Sequence, residues 1–279
     1  MDGQGVMLPA RSCLRAMKVG YFQFDPRFGE VKRNLDYVSE RLAAVECDLL
    51  VLPELFNTGY QFVSADEARA LAESVPSGPT TARLKQLAAD RRMHLVAGLA
   101  ERAGDRLYNS AVLVGPGGLV GVYRKTHLFF EETLFFAPGD TGFPVFDVGP
   151  VRVGLMVCFD WFYPESARTL ALKGADVIAH PSNLVLPHCP DSMVTRCLEN
   201  HVFAVTCNRT GSEERGGKKK LTYIGNSEVV SPKGEILRRA KPDREELAIV
   251  EIDPLEARDK KINPYNDLLA ARRPDLYST

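Results

Sequence analysis

The sequence predicts an α/β fold, because short hydrophobic runs typical of buried strands alternate with amphipathic helical patterns. Residues 49–54 form a continuous apolar run that ends in a carboxylate, as in strands buried on both faces. Residues 31–45 instead carry an apolar residue every three or four positions, which is typical of a helix lying on a sheet. Residues 151–183 show a strand, helix, strand order, and such a unit implies two parallel neighbours in one sheet.

The remaining elements follow from the same two periodicities and from the turn residues between them. The first strand alternates and is rich in aromatic residues, S-G-P introduces a helix, and a turn around Gly104 and Asp105 joins two strands. Pro164 suits the first turn of a helix that Gly174 ends. The predicted strands are residues 18–24, 49–54, 94–101, 107–115, 119–123, 151–157, 175–183, 205–209, 226–231 and 247–253. The predicted helices are residues 31–45, 64–73, 80–92, 164–173 and 193–203.

Three segments lie outside this pattern. Residues 211–220 are polar and contain two adjacent glycines, so we expect a mobile, solvated loop there. The tail at residues 254–279 has only spaced apolar residues, which predicts an arm that packs on a neighbour. Residues 1–16 contain no continuous apolar core and so do not form a signal peptide. We interpret them as a flexible extension, and both Met1 and Met17 are candidates for the natural start.

The composition is that of a soluble globular protein, with 45% hydrophobic and 25% charged residues. The 35 basic and 36 acidic residues leave a net charge of −1, which provides no attraction to nucleic acid or to an anionic membrane. No apolar run is long enough to span a bilayer. The predicted partner is therefore a small molecule.

The cysteines and histidines do not indicate a metal site. The six cysteines, at positions 13, 47, 158, 189, 197 and 207, contain no C-x-x-C pair, so neither a zinc ribbon nor a disulfide framework is predicted. No H-x-H or H-E-x-x-H spacing occurs. We therefore predict no metal, no other cofactor, reduced thiols and a cytoplasmic location.

Cys158 stands where a hydrophobic strand meets the turn before a predicted helix. A cysteine at such an elbow is held at the end of a sheet, beside unpaired backbone N–H groups of the incoming helix. This geometry suits a nucleophilic thiol. An arbitrary buried cysteine is more often an inert core residue, so the nucleophile interpretation requires acidic and basic partners elsewhere.

Two other strand ends carry such partners. Glu54 ends the strand at residues 49–54, where an isolated ionised carboxylate is costly unless it is paired or functional. Lys125 follows the strand at residues 119–123. Because strand ends on one side of a sheet converge, Glu54, Lys125 and Cys158 are expected to form one cluster. The alternatives are that Glu54 only caps the following loop and that Lys125 belongs to a solvated edge.

The three candidates lie in three motifs. These are L-P-E-L-F-N-T-G-Y at residues 52–60, Y-R-K-T-H-L-F at residues 123–129 and M-V-C-F-D-W-F-Y-P-E-S-A-R at residues 156–168. Together they resemble the signature motifs of the nitrilase superfamily, the carbon-nitrogen hydrolases, in the family's order. The resemblance implies a single domain at residues 17–279 with the four-layer α-β-β-α sandwich of the nitrilase type and a C-terminal arm. It also implies a homodimer or a larger homo-oligomer.

The same resemblance assigns roles to the cluster. Glu54 would be the general base, Lys125 the cation beside the developing oxyanion, and Cys158 the nucleophile of a Glu-Lys-Cys triad. A second glutamate, found by counting back from F-F-A-P-G-D, falls at Glu132 rather than at Glu131. The residues predicted to line the substrate pocket are Tyr60, Phe130, Phe159, Trp161 and Asn183.

The predicted reaction is hydrolysis of a small aliphatic amide or N-carbamoyl compound through a cysteine thioester, with release of ammonia or an amine. Amide carbons are poor electrophiles, and a thiolate divides the reaction into two easier steps. C-F-D at the nucleophile is closer to the amidase and carbamoyl-amide branches than the C-W-E of true nitrilases. The alternative is a nitrilase acting on small aliphatic mononitriles or dinitriles, because relatives with C-F-D-W-F have been called nitrilases.

Three further interpretations stay open. A cysteine-histidine hydrolase would use His127 or His180 as its base. A non-catalytic oligomeric binding protein of the same fold is a second, although a chain without chemistry has no reason to keep buried charges. An acyltransferase using the same acyl-enzyme is the third.

Overall fold

The computed structural model of the protein describes residues 16–277 and contains two six-stranded sheets, two short hairpins and five α-helices. The strands are β1 Met17–Gln23, β2 Leu49–Val51, β3 His94–Ala103, β4 Arg106–Gly115, β5 Gly118–Arg124, β6 Val145–Val148, β7 Val151–Leu155, β8 Val177–Pro181, β9 Phe203–Cys207, β10 Ser212–Glu213, β11 Leu221–Thr222, β12 Glu228–Val230, β13 Ile236–Arg239, β14 Glu246–Ile252, β15 Lys261–Asn263 and β16 Asn266–Asp267. The helices are α1 Val31–Leu42, α2 Ala65–Leu71, α3 Pro79–Arg91, α4 Pro164–Leu172 and α5 Cys189–Asn200.

The strand order places several strand ends at one edge. The first sheet has the order β14-β1-β2-β3-β4-β5, and the second has the order β13-β12-β9-β8-β7-β6. Strands β1, β2 and β3 are parallel to one another, as are β7, β8 and β9. Strand β4 is antiparallel to both β3 and β5, so β5 runs in the same direction as β2. The carboxyl ends of β2 and β5 therefore lie at the same edge of the first sheet.

Alternating side chains of the first sheet enter two different cores, as the two-residue period of a strand requires. Val19, Tyr21 and Val51 belong to the core between the sheets, where β1, β2 and β3 contact β8 and β9. Phe22 and Leu50 belong to a second core beneath α1 and α3. Helices α4 and α5 cover the other face of the second sheet. The predicted four-layer α-β-β-α sandwich of the nitrilase type is thereby confirmed.

Several element ends differ from the predicted ones. Helix α5 begins at Cys189 instead of residue 193, with Pro190 in its first turn, and ends at Asn200. Strand β7 ends at Leu155, and a 3-10 turn at Cys158–Phe162 follows it. The sequence does not predict β6 and β13, because each is an edge strand of four residues without a continuous apolar run.

Residues 211–220 are not the free loop that their composition predicts. Strands β10 and β11 pair into a hairpin, here called the 212–222 hairpin, that encloses most of the segment. Arg215 forms an ion pair with Glu67 at 2.7 Å, and Lys218 forms one with Glu131 at 2.8 Å. Two of the four basic residues of this hairpin, Arg215 and Lys218, are therefore bound by acidic residues elsewhere in the chain.

The two ends of the chain complete the description. After Pro254 the chain forms a 3-10 turn and the β15-β16 hairpin, near which Tyr265 is 93% exposed. Packing of this arm on a neighbour stays a prediction, as does the division of the chain into an extension and a single domain. Apart from Ala16, the predicted extension lies outside the described residues. Within residues 16–277, no helix has both the length and the apolar character needed to cross a membrane.

Candidate active site

Four candidate side chains follow strand ends of the two facing sheets. Glu54 follows β2 and Lys125 follows β5 in the first sheet, while Cys158 follows β7 and Asn183 follows β8 in the second. All four are almost completely buried. The side-chain amide of Asn183 donates to the backbone carbonyl of Glu54 at 2.9 Å, which joins the two sheets at this edge.

The Lys125 ammonium lies between two buried carboxylates. Its Nζ donates to Glu54 Oε1 at 2.7 Å and to Glu132 Oε1 at 2.7 Å. An ammonium without partners would be costly in the interior, and the two carboxylates offset that cost. Glu131 instead contacts Lys218, outside this cluster. The contacts therefore agree with the prediction that Glu132, rather than Glu131, joins the site.

Two neutral side chains add hydrogen bonds to these carboxylates. Asn109 of β4 donates from Nδ2 to Glu54 Oε1 at 2.7 Å, and the Tyr60 hydroxyl donates to Glu132 Oε1 at 2.7 Å. The second oxygen of Glu54, Oε2, is buried and has no hydrogen-bond partner among the described residues. Buried polar atoms are nearly always paired, so a free carboxylate oxygen here indicates a place for a proton or a ligand.

Cys158 has an unusual backbone conformation that its surroundings hold in place. Its φ is +44°, in the left-handed region that few residues other than glycine adopt. Asp160 fixes the turn by accepting hydrogen bonds from the Val157 backbone N–H at 2.9 Å and the Tyr123 hydroxyl at 2.7 Å. His180 contacts the Cys158 carbonyl oxygen through Nε2 at 2.9 Å. Strained backbone that is fixed so firmly is typical of functional sites.

Burial and charge together set the protonation of the cluster. Burial raises the pKa of the Cys158 thiol well above its ordinary value, and the Glu54 charge raises it further against the opposing effect of Lys125. The thiol is therefore protonated at neutral pH. Burial lowers the pKa of Lys125, but the charges of Glu132 and Glu54 outweigh it, so the net shift is upward and the amine stays an ammonium. Burial raises the pKa of Glu132 to about 7, although the charge of Lys125 acts in the opposite direction.

Two small clefts flank the cluster. One reaches Cys158, and its other walls are Phe129, Phe159, Trp161, Asn183, Leu184, Val185 and Leu186. The second lies on the side of Glu132 and includes Tyr60 and Phe130 in its walls. Of the predicted pocket residues, Phe159, Trp161 and Asn183 thus lie beside the thiol, whereas Tyr60 and Phe130 lie beside the second glutamate.

The two candidate histidines have other partners. The ring of His180 contacts the Cys158 carbonyl oxygen at 2.9 Å and the Thr206 hydroxyl at 3.1 Å, and burial lowers its pKa to about 4. His127 contacts Asp160 Oδ1 at 2.8 Å through Nδ1. These contacts do not favour a cysteine-histidine mechanism. Among residues 16–277, no group of three or more His, Cys, Asp or Glu side chains is arranged to hold a metal ion.

Asn109 and Asp160 belong to the cluster but are not predicted from the sequence. Asn109 could have been found from the sequence, because it and Ser110 are polar residues inside the mostly apolar strand β4. A buried side-chain amide needs a hydrogen-bond partner, so such a residue indicates a polar neighbour in the fold. Asp160 follows the nucleophile by two residues, and its four hydrogen bonds within the turn and to the Tyr123–His127 segment become visible only in the fold.

The chain is similar to known carbon–nitrogen hydrolases over most of its length. The family model described as carbon-nitrogen hydrolase matches residues 18–261. A nitrilase from Pyrococcus abyssi is 50% identical over 264 residues, which cover 94% of this chain and 99% of the relative. The crystal structure of a carbon-nitrogen hydrolase from Helicobacter pylori G27 has a TM-score of 0.85 at 29% identity, covering 94% of this chain and 97% of that one.

A third comparison concerns an amidase from Nesterenkonia of the nitrilase superfamily. A mutant structure of it gives a TM-score of 0.76 at 28% identity and covers 93% of this chain and 95% of that one. Another of its structures contains acrylamide attached by Michael addition to the active-site cysteine. The resemblance seen in the three motifs is thus confirmed, and the chain belongs to the carbon-nitrogen hydrolase family, the nitrilase superfamily of enzymes that act on carbon–nitrogen bonds other than peptide bonds.

Proposed function

We propose that the protein hydrolyses a small, uncharged aliphatic amide or N-carbamoyl compound through a thioester on Cys158. In this proposal Glu54 is the general base, Lys125 stabilises the oxyanion, and Glu132 holds Lys125. The observation that carries the proposal is the buried cluster itself. It combines a protonated thiol, an ammonium bound at 2.7 Å by two carboxylates, and a carboxylate oxygen with no partner among the described residues.

The first half of the reaction forms the thioester. Glu54 Oε2 accepts the thiol proton as the sulfur of Cys158 attacks the carbonyl carbon of the amide. Negative charge develops on the carbonyl oxygen, and the Lys125 ammonium and backbone N–H groups at the elbow stabilise it by about 3 kcal/mol for each donor. The tetrahedral intermediate then collapses. Glu54 passes its proton to the departing nitrogen, and ammonia or an amine leaves.

The second half regenerates the thiol. Glu54, again ionised, removes a proton from water as the water oxygen attacks the thioester carbon. The carbon–sulfur bond breaks, the acid is released, and the sulfur recovers the proton from Glu54. No electron is transferred in either half.

The cleft beside Cys158 supports an uncharged acyl group. Apart from Cys158 and Asn183, its walls are aromatic or aliphatic, and no charged side chain lines it. Two carboxylates line the second cleft, and both are already paired, Glu131 with Lys218 at 2.8 Å and Glu132 with Lys125 at 2.7 Å. A carboxylate or ammonium on the substrate would therefore lose its hydration without gaining a partner, which is unfavourable. The small size of both clefts favours short acyl chains.

A nitrilase is the second candidate, and the observation that favours it is the 50% identity to a relative named nitrilase. Attack of the Cys158 sulfur on a nitrile carbon would give a thioimidate. Water would then convert it to the same thioester with loss of ammonia. The apolar walls of the cleft beside Cys158 suit a nitrile as well as an amide, so the two candidates differ in reaction rate and not in the residues that they require.

The test is ammonia release from a matched set of compounds. We expect turnover of butyramide and of propylurea, with kcat/KM about 100-fold above that for succinamate and for 4-aminobutyramide, because only the latter two carry a charge. Predominant turnover of butyronitrile, with butyramide untouched, would favour the nitrilase. Absence of release from every compound, in protein whose Cys158 still reacts with iodoacetamide, would favour the binding protein. A product formed only in the presence of hydroxylamine would favour the acyltransferase.

The carboxylate pair predicts a loss of activity in acid. With a pKa of about 7, Glu132 gains a proton as the pH falls below neutrality, and Lys125 then loses one of its two charged partners. We expect kcat/KM for butyramide to fall below about pH 7 and to approach a tenfold loss per pH unit. A profile that is flat from about pH 5 to 8 would contradict this assignment.

The raised pKa of Glu132 also makes the free energy of unfolding depend on pH. The pKa of Glu132 is raised from an ordinary value of 4.5 to about 7, so the folded protein binds this proton more tightly than the unfolded chain does. The stabilising contribution of Glu132 to the free energy of unfolding is therefore fully present below about pH 4.5 and is lost as the pH rises through about 7.

Gly98 of β3 packs directly against the backbone of Glu54, the proposed base. A Cβ at this position would lie 2.5 Å from Glu54 Cα and 2.8 Å from the Leu55 nitrogen. We expect Gly98→Ala to displace Glu54, to lower kcat/KM at least about tenfold and to destabilise the protein by about 1–3 kcal/mol. The matched control is Gly117→Ala, whose Cβ would meet no atom within 4 Å. Equal activity and melting temperature in the two variants would contradict the expectation.

A homodimer and a cytoplasmic location stay predictions that rest on the family resemblance and on the cysteine content.

A further inference from the structure

Glu213 of the 212–222 hairpin is a buried carboxylate that the proposed reaction does not use. Only 7% of the residue is exposed. Its two oxygens accept hydrogen bonds from the backbone N–H of Tyr60 at 3.2 and 3.1 Å, and Oε2 also accepts one from the backbone N–H of Gln61 at 2.6 Å. A side chain from the second half of the sequence thus fixes the backbone at the end of the L-P-E-L-F-N-T-G-Y motif.

The charge of Glu213 is itself held in place. Arg209, which is 1% exposed, forms an ion pair with Glu213 Oε1 and donates to Asp25 Oδ1 at 2.6 Å. The guanidinium also lies over the Tyr223 ring, 4.1 Å from its centroid. Gly59 packs closely against the carboxylate, because a Cβ at this position would lie 2.9 Å from Glu213 Oε1. Glu213 is therefore a rigid support.

The supported segment ends in the active site. The Tyr60 hydroxyl donates at 2.7 Å to Glu132 Oε1, the same oxygen that accepts from Lys125 Nζ at 2.7 Å. The hydroxyl reaches this oxygen only while the backbone at residue 60 stays in position. A continuous series of contacts thus leads from Arg209 through Glu213, Tyr60 and Glu132 to Lys125.

We propose that Glu213 is a positioning residue for catalysis, which acts through the Tyr60 hydroxyl to fix Glu132 and thereby Lys125. The inference rests on the proposed function of Lys125. Release of the Tyr60 backbone would move the hydroxyl away from Glu132 and leave that carboxylate free to rotate. Lys125 would then sample positions that do not face the developing oxyanion, and small displacements of a positioned group reduce rates strongly. In this proposal the 212–222 hairpin supports the active site through Glu213.

The test compares Glu213→Asp, Tyr60→Phe and the double variant. Glu213→Asp keeps a negative charge beside Arg209 but shortens the side chain, so the carboxylate no longer reaches the N–H groups of residues 60 and 61. Tyr60→Phe removes the hydroxyl alone. We expect each single variant to lower kcat for butyramide about tenfold with little change in KM. Because both act on one contact, the double variant should be no slower than Tyr60→Phe.

The pH profile separates positioning from a purely structural role. A donated hydrogen bond favours the ionised form of Glu132, so its loss should shift the acid limb of kcat/KM to higher pH in both single variants. Multiplicative losses in the double variant, or an unshifted limb in Glu213→Asp, would overturn the proposal. Glu213→Gln serves as a second variant if Glu213→Asp does not fold. If neither folds, the role of Glu213 is structural and the proposal is rejected.

Two controls complete the experiment. Glu67→Gln weakens a different carboxylate contact of the hairpin, to Arg215, without touching Tyr60, and should leave kcat and the pH profile unchanged. The rate at which iodoacetamide alkylates Cys158 is followed against pH in the same variants, since this reaction needs no substrate. A shifted alkylation profile without turnover of any amide would retain the positioning role and reject the proposed function, so the two failures are distinguishable.

Discussion

Replacing Cys158 by alanine is expected to reduce amide turnover to background, a loss of at least about 10⁴-fold, while the protein stays folded. Without the sulfur no thioester forms, and the oxyanion-stabilising groups alone do not supply a nucleophile. The residue is 4% exposed, so the variant loses one buried sulfur atom and about 1 kcal/mol of stability. This cost is small beside the free energy of unfolding of a typical domain.

Cys189→Ala is the matched control for this expectation. Cys189 is also buried, at the first position of α5, and burial raises the pKa of its thiol well above the ordinary value. We expect the control to retain wild-type ammonia release and a similar melting temperature. Mass mapping after iodoacetamide treatment should show that a bound amide protects Cys158. Turnover by Cys158→Ala above about 1% of wild type would refute the nucleophile assignment.

The main features of the site follow from strand ends in the sequence. Glu54, Lys125 and Cys158 are each read as strand-terminal because an apolar run stops beside them, and parallel strands bring such ends to one edge. The structure places Glu54 and Lys125 in contact at 2.7 Å, over 71 residues of sequence. Apolar periodicity predicts only the strands and helices of an α/β protein. The four-layer arrangement, in which Val19 and Phe22 enter different cores, is predicted by the family resemblance.

The remaining features depend on contacts that no local pattern encodes. The elbow is not the simple end of a strand, because β7 ends at Leu155 and the +44° φ of Cys158 is maintained by hydrogen bonds from distant segments. The 212–222 hairpin has a polar composition that predicts solvation, yet Glu213 is buried because Arg209 neutralises it. Composition describes the average environment of a residue, whereas pairing of buried charges depends on the fold.

Glu54→Gln is expected to lower kcat/KM at least about 10³-fold without unfolding the protein, as loss of a general base requires. The amide oxygen of glutamine can keep the hydrogen bonds that Lys125 and Asn109 donate to Oε1 at 2.7 Å. The NH₂ group would replace Oε2, the oxygen without a partner, and it cannot accept a proton. Turnover is measured as ammonia release and folding by thermal unfolding.

Glu228→Gln controls for the removal of a buried carboxylate. Glu228 is fully buried on β12, binds Arg239 at 2.9 Å and likewise has one oxygen without a partner among the described residues. Burial raises its pKa to about 7. Glu228→Gln removes a buried carboxylate as Glu54→Gln does, but outside the cluster, so we expect wild-type turnover. Equal losses in the two variants would mean that burial, and not position, determines the effect.

The reactivity of the thiol separates two roles that Glu54 has. Its charge raises the pKa of Cys158, so Glu54→Gln should make the thiol more acidic and its alkylation by iodoacetamide faster. If this electrostatic effect were the whole role of Glu54, the variant would be more active than wild type. A general base predicts the reverse, because proton transfer to the leaving nitrogen and from water still requires a carboxylate. Faster alkylation together with lost turnover therefore identifies Glu54 as the proton carrier, whereas retained turnover would refute that role.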